Sequence, residues 1–81
     1  MGVQVRLFAA AREAMGTSEV EVAAGSIADM CAALVVVGGE RMARVLAVSS
    51  LAYDGRTFRC DDAALIPEGS VLDVLPPFAG G

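Results

Sequence analysis

The chain has 81 residues, which is enough for one domain built around one hydrophobic core. Its composition, 56% hydrophobic and 20% charged, excludes a disordered tail, and its net charge of −4 argues against a nucleic-acid or anionic-membrane partner. Because so small a domain with so many apolar residues leaves some apolar surface exposed, the composition favours a partner-binding protein.

The chain has no histidine, and all six of its basic residues are arginines. It therefore lacks the commonest general base and metal ligand, and it has no side-chain amine for Schiff-base chemistry or for conjugation to itself. Cys31 and Cys60 are far apart in sequence, which indicates small buried residues rather than a zinc or redox site. The exposure of Cys60 stays open, because it lies where a strand meets a turn.

The first residues lack the charged and apolar regions of a signal peptide, and the longest apolar run, around residues 32–39, is far too short to span a bilayer. We therefore expect a cytoplasmic protein.

The predicted elements begin with a strand over residues 3–8, where apolar and polar residues alternate. An alanine-rich helical turn over residues 9–15 follows and ends at Gly16. A second strand over residues 19–22 should pair antiparallel with the first. The residues of these two strands that are expected to face the core are Val3, Val5, Leu7, Val20 and Val22.

One clear helix follows. Ser26 can cap its first turn, and Asp29 stands three residues later, as in a capping box. The spacing of the next apolar residues predicts one buried stripe, formed by Ile27, Met30, Cys31, Leu34 and Val35. We expect Gly38 and Gly39 to end the helix.

The second half of the chain is predicted to hold short strands. Residues 45–53 and 56–60 flank Asp54 and Gly55, a strong hairpin signal. The remaining elements are a turn or short helical segment over residues 61–65, a turn over residues 67–69 and a final strand over residues 71–75.

This order of elements belongs to the α+β class. If the two terminal strands lie parallel at the centre of a mixed sheet crossed by one main helix, every apolar face is buried. That arrangement is the β-grasp, or ubiquitin-like, fold, although periodicity alone leaves other α+β arrangements open. We expect residues 1–75 to form the domain and residues 76–81 to form an extended tail.

The tail contains the most informative pattern of the sequence. Pro76 and Pro77 should stop the last strand, since proline cannot donate to a β-ladder. Gly80 and Gly81 lack a Cβ and can enter a slot that admits little besides backbone. Such an end suits a carboxylate that another enzyme grasps and modifies, while the alternative is a frayed terminus. Extended, the six residues beyond the strand reach at most ~20 Å.

Several pieces of the sequence match a known pattern: VRLFA at 5–9, ARE at 11–13 with Gly16, LAYDG at 51–55, PEG at 67–69 and PPFAGG at 76–81. In these pieces the chain resembles the MoaD/ThiS family of sulfur carriers, and within it the small-subunit branch of molybdopterin synthase. Two departures stand out. The hairpin has Asp54 where the family often has asparagine, and residues 38–46 follow no family pattern.

The resemblance implies a mechanism. An ATP-dependent activating enzyme, similar to MoeB, would adenylate the Gly81 carboxylate, and a sulfur donor would displace AMP to leave a thiocarboxylate. The tail residues Phe78, Ala79 and Gly80 would enter the pocket of a large subunit, similar to MoaE, and deliver sulfur for the molybdopterin dithiolene. The chain itself would bind no cofactor or metal and supply no acid or base, and ATP would be used by the activating enzyme.

We expect a docking surface where the tail leaves the sheet. Arg6 and Asp73 should pair across the first and last strands, and Phe8 and Leu75 should form an exposed apolar patch. The alternative is that Phe8 is buried beneath residues 9–15. The other residues expected to contact partners are Pro76 and Pro77, with Phe78 extending the patch, and Arg12 on the resemblance alone.

Other functions stay open at this point. A carrier of the same class could donate sulfur to thiazole, cysteine or tRNA synthesis. The chain could instead be a ubiquitin-like modifier joined through Gly81 to target lysines, or an interaction module with an inert tail. A free-standing enzyme is the poorest interpretation, because the sequence offers no nucleophile–base pair or metal site.

Overall fold

A computed structural model gives the fold and describes residues 2–77. The elements in chain order are β1 (Val3–Leu7), α1 (Ala10–Met15), β2 (Glu19–Val22), β3 (Gly25–Ser26), α2 (Ile27–Val48), β4 (Ser50–Tyr53), β5 (Arg56–Phe58), β6 (Leu65–Ile66) and β7 (Val71–Leu75). None of the helices in this part of the chain is long and apolar enough to cross a membrane.

Five strands form a mixed sheet in the order β2-β1-β7-β4-β5. Strands β1 and β7 are parallel neighbours at its centre, while β1–β2, β4–β7 and β4–β5 are antiparallel. Strands β3 and β6 form a separate two-stranded ladder. The parallel terminal strands and the single main helix confirm the predicted β-grasp fold.

The core lies between the sheet and α2. Alternation in β1 and β7 buries every second side chain, as expected for strands with one face against a helix. The fully buried large residues come from both layers and are Val3, Val5, Leu7, Ile27, Met30, Leu34, Met42, Leu51, Ile66, Leu72 and Val74. Val20 and Val22 of β2 are half-buried against this core.

The start of α2 follows the sequence prediction. Ser26 has an extended backbone, and its Oγ accepts a hydrogen bond from the Asp29 backbone N–H at 3.0 Å. This bond satisfies one of the N–H groups that a helix start leaves without a partner. The predicted stripe is also confirmed, since four of its residues are buried and Val35 is half-buried against the core.

The predicted end of α2 is confirmed as a break in the helix at Gly39, but a second helical segment follows that the prediction missed. Gly39 has a positive φ with an extended ψ (φ 71°, ψ −159°), a conformation essentially restricted to glycine, but the chain resumes its helix beyond this kink and continues to Val48. The strand predicted to begin at residue 45 therefore begins at Ser50. The physical reason is burial: Met42 and Leu46 lie four residues apart on the same helix face and enter the core.

The hairpin between β4 and β5 is confirmed. Asp54 (φ 54°) and Gly55 (φ 75°) both have positive φ, as a two-residue type I′ turn requires. The register pairs Tyr53 with Arg56 directly across this turn. Strand β5 is shorter than predicted and ends at Phe58.

Gly38 lets the two segments of α2 and helix α1 approach closely. A Cβ placed on Gly38 would lie 2.6 Å from the Met42 Cβ and 2.8 Å from the Met15 Sδ, both far inside ordinary contact. Because the Met42 Cβ is fixed to the backbone, it cannot move away without shifting the helix. The absence of a side chain at Gly38 therefore fixes how the second half of α2 sits against α1.

We predict that Gly38→Ala destabilises the protein. Alanine should otherwise strengthen a helix by up to about 1 kcal/mol, but the overpacking against Met42 should cost about 1–3 kcal/mol. Denaturant unfolding followed by circular dichroism measures the difference. Gly25→Ala is the control, because the nearest atom to its added Cβ is 3.9 Å away. A Gly38→Ala variant more stable than the wild type would contradict this account of the kink.

Candidate docking site at the tail exit

The register of β1 against β7 places the predicted outward residues on one face. Gln4 pairs with Val71, and Arg6 pairs with Asp73. The next position of this ladder joins Leu7 to Val74, so the chain leaves β1 at Phe8 close to where β7 ends. Residues far apart in sequence thus meet at one corner of the sheet, beside the start of the tail.

Arg6 and Asp73 form the predicted ion pair. The Arg6 Nε lies 2.6 Å from Oδ1 of Asp73, and its Nη2 lies 2.8 Å from Oδ2, which is a bidentate arrangement. This hydrogen bond, and then the charge of Asp73, raise the pKa of Arg6 above its usual value. The guanidinium is solvent-exposed, so the pair orients two neighbouring strands on the open face of the sheet.

Phe8 lies on the surface, with 40% of its area exposed. Its carbonyl accepts the backbone N–H of Ala11, which is the residue of α1 that enters the core instead. The alternative prediction, burial of Phe8 beneath α1, is therefore wrong. Leu75, the other residue of the predicted patch, is half-buried at the end of β7, where it pairs with Ser50.

A groove of about 430 Å³ lies where the chain leaves the sheet, and we call it the tail-exit groove. Its walls come from the end of β1, from α1, from the second half of α2 and from the two prolines after β7. The lining residues are Phe8, Ala10, Ala11, Arg41, Arg44, Val45, Val48, Ser49, Pro76 and Pro77. The walls are largely apolar, and Leu75 is not among them.

The sequence prediction missed the α2 side of this groove. The strand predicted over residues 45–53 would place Val45 and Val48 on a sheet rather than beside Phe8. The signal that could have found them is the spacing of Met42, Val45 and Leu46, which matches a helix resuming after the glycine pair.

The other predicted partner-binding residues are placed as follows. Pro76 and Pro77 line the groove, and Arg12 is exposed on α1. The predicted tail residues Phe78, Ala79, Gly80 and Gly81 lie outside the described residues.

The two cysteines do not form a reactive site in the described structure. Cys31 and Cys60 are free thiols, the first buried in the core and the second half-buried. Burial, and to a lesser degree the nearby Cys60, raises the pKa of Cys31 to about 12. Its thiol is therefore protonated and unreactive at neutral pH. Among residues 2–77 no group of three or more potential metal ligands comes together.

No protein-family model matches the sequence, and none of the curated proteins matches it. Solved structures, in contrast, match the fold of this chain. The mixed sheet, the parallel terminal strands and the single main helix define a ubiquitin-like β-grasp protein, and solved structures share this fold over nearly the whole chain.

The structural neighbours are small proteins of this fold. A Pyrococcus furiosus protein, provisionally named molybdopterin converting factor subunit 1, has a TM-score of 0.76 and 23% identity, covering 94% of this chain and 97% of its own. Small archaeal modifier protein 1 of Haloferax volcanii has a TM-score of 0.73 and 24% identity, covering 98% of both chains. At these identities the likeness establishes the shared fold.

We predict that Phe8→Ala changes stability little. Because much of the ring is already in water, its removal should cost about 1 kcal/mol, whereas removing a fully buried Phe costs about 3–5 kcal/mol. Denaturant unfolding measures the change. Leu7→Ala, one residue earlier and 1% exposed, is the comparator and should cost about 2–5 kcal/mol. Equal losses for the two variants would show that Phe8 belongs to the core.

We predict that the native protein reacts with iodoacetamide at Cys60 but not at Cys31. Because the folded protein holds the Cys31 pKa near 12, its thiolate should stay scarce as pH rises through the ordinary thiol value of 9.0. Peptide mapping at pH 9, with and without denaturant, measures both sites. The Cys60→Ser variant isolates Cys31, which should be alkylated only after unfolding. Rapid native alkylation of Cys31 would contradict its burial.

Proposed function

We propose that this protein is a sulfur carrier that acts as the small subunit of molybdopterin synthase. The single observation on which the proposal rests is the geometry of the exit: β7 ends at Leu75, and Pro76 and Pro77 then line an apolar groove beside Phe8. A partner that grasps the Gly-Gly end would find apolar surface next to it. The fold shared with a protein named molybdopterin converting factor subunit 1 supports the same function.

The proposed chemistry begins at the terminal carboxylate of Gly81, which is a poor electrophile. A Gly81 carboxylate oxygen attacks the α-phosphate of ATP, which is bound by a MoeB-like activating enzyme, and pyrophosphate leaves. Hydrosulfide, supplied by a sulfur donor, then attacks the acyl carbon, AMP leaves with the C–O bond electrons, and loss of the S–H proton leaves Gly81 as a thiocarboxylate. No cofactor is bound by the chain in this scheme.

The thiocarboxylate sulfur is a better nucleophile than the oxygen it replaces. In the proposed complex, a MoaE-like large subunit holds the pterin precursor and receives the tail, where Gly80, Ala79 and Phe78 thread its pocket. On both the activating enzyme and the large subunit, the body docks through Phe8, Leu75, Pro76 and Pro77, with Arg12 as a further contact. In this scheme the partner enzymes supply the acid and base groups, which agrees with a chain that has no histidine or lysine.

A second candidate is a ubiquitin-like protein modifier. It is favoured by one observation, the fold shared with small archaeal modifier protein 1. In this alternative the amine of a target lysine attacks the activated Gly81 carbonyl, and an isopeptide bond replaces the bond to the leaving group. Because the chain has no lysine, it would not form lysine-linked chains of itself.

A third candidate is a sulfur carrier with a different acceptor, which would donate its sulfur to thiazole, cysteine or tRNA synthesis.

We predict that incubation with ATP, a sulfur donor and the activating enzyme raises the intact mass by one oxygen-to-sulfur exchange. The expected site is Gly81, so a chain lacking Gly81 should show no gain. Mass spectrometry of the whole protein measures both. The Phe8→Ala variant, run in the same assay, should be converted more slowly while remaining folded, because the groove beside the tail loses its aromatic wall.

Two further results separate the candidates. Addition of the large subunit and pterin precursor should restore the original mass and form the dithiolene. Conjugates of higher mass that disappear without Gly81, in place of the thiocarboxylate, would favour the modifier. An unchanged mass with an enzyme that is active on another carrier would refute the carrier function.

A further inference from the structure

The second half of α2 has no part in the chemistry proposed above, yet it forms one wall of the tail-exit groove. We propose that this groove binds an acidic and apolar segment of the activating enzyme, with an apolar side chain between Phe8 and Val48 and a carboxylate on Arg41 and Arg44. The inference rests on the proposed function, because the enzyme that holds Gly81 is the occupant.

The charge around the groove points to an acidic occupant. The protein has a net charge of −4, but both charged residues in the groove lining are arginines, Arg41 and Arg44. A guanidinium binds a carboxylate through two parallel hydrogen bonds, which favours a carboxylate on the partner over a neutral group. A local basic rim on an acidic protein therefore selects a partner surface by its charge.

The two guanidiniums are only weakly engaged within the chain. Arg41 lies 3.5 Å from a Glu13 oxygen, and Arg44 lies 3.8 Å from a Glu40 oxygen. All four side chains are mostly exposed, and exposed single contacts of this length contribute about 0–1 kcal/mol. An incoming carboxylate can therefore replace these contacts at little cost in stability.

The apolar wall of the groove indicates that the occupant also presents an apolar side chain. Val48 is 55% exposed and Phe8 is 40% exposed, and both line the groove with Val45. The buried Ser49 offers no free polar group, because its Oγ donates to the Val45 carbonyl at 2.6 Å. A small anion could bind the two arginines but would leave the apolar wall in water, so the groove suits an occupant that carries both an apolar and an acidic side chain.

The position of the groove points to the enzyme that handles the tail. Pro77 is part of the groove wall, and the four residues that follow it reach at most ~14 Å when extended. A partner that closes on Gly81 must then lie within that distance of the groove, and the activating enzyme is the partner that both the carrier function and the modifier function require. A second copy of this acidic chain is disfavoured by like-charge repulsion.

We predict that Arg44→Glu weakens activation of the carrier, with a rise in KM of about tenfold and a small change in kcat, because an attractive contact becomes repulsive. Arg56→Glu is the charge-matched control, since Arg56 lies on the β4–β5 hairpin and not in the groove, and its KM should stay within about twofold. Arg44→Gln should give an intermediate rise without adding an acidic neighbour to Glu40. Steady-state adenylation kinetics measure these values.

The apolar wall of the groove is tested by a second pair of variants, one inside the groove and one outside it. Val48→Ser should raise KM, whereas Val36→Ser should not, because Val36 is 84% exposed outside the groove. Thermal unfolding confirms that each variant is folded.

Equal KM values for the Arg44→Glu and Arg56→Glu variants would overturn the inference while leaving the carrier function intact. Weakened binding of the large subunit with unchanged activation would show that the occupant is assigned to the wrong partner. Failure of the wild type to be activated would refute the proposed function itself.

Discussion

The parallel pairing of β1 with β7 is the constraint on which the rest of the structure depends. It joins the two ends of the chain at the centre of the sheet and buries Val5 beside Leu72. Such a non-local pair forms only when the intervening chain has folded back, and α2 makes this possible by covering the same face of the sheet. Once the register is set, the tail must leave beside Phe8.

The groove beside the tail depends on a second, more local constraint. The positive φ of Gly39 redirects α2, and Gly38 allows Met42 and Met15 to pack where a Cβ would otherwise lie. The resumed helix then brings Arg41 and Arg44 next to the two prolines. A helix that stopped at the glycine pair would leave Phe8 without this opposite wall.

The body and the tail divide their roles by chemistry. The chain has no histidine or lysine, and its core cysteine Cys31 is protonated. Its reactive group, in the proposed function, is the terminal carboxylate of Gly81. Neighbours of the same fold include both a converting-factor subunit and a protein modifier, so the fold by itself does not choose the acceptor.

The sequence by itself determined the features that depend on near neighbours along the chain. Alternation identified β1, the Ser26 cap started α2, and Asp54 with Gly55 specified the hairpin turn, since each of these is decided within a few residues. The pairing of Arg6 with Asp73 was also predictable, but only after the parallel arrangement had been assumed.

Only the tertiary structure decided the course of residues 39–48. Locally, a glycine pair is a helix stop and the following valines favour a strand. Burial of Met42 and Leu46 in the core, together with the contact at Gly38, outweighs those preferences and keeps the segment helical. The arginine rim of the groove follows from that packing, because the spacing of Met42, Val45 and Leu46 is compatible with a helix but does not by itself outweigh the glycine pair.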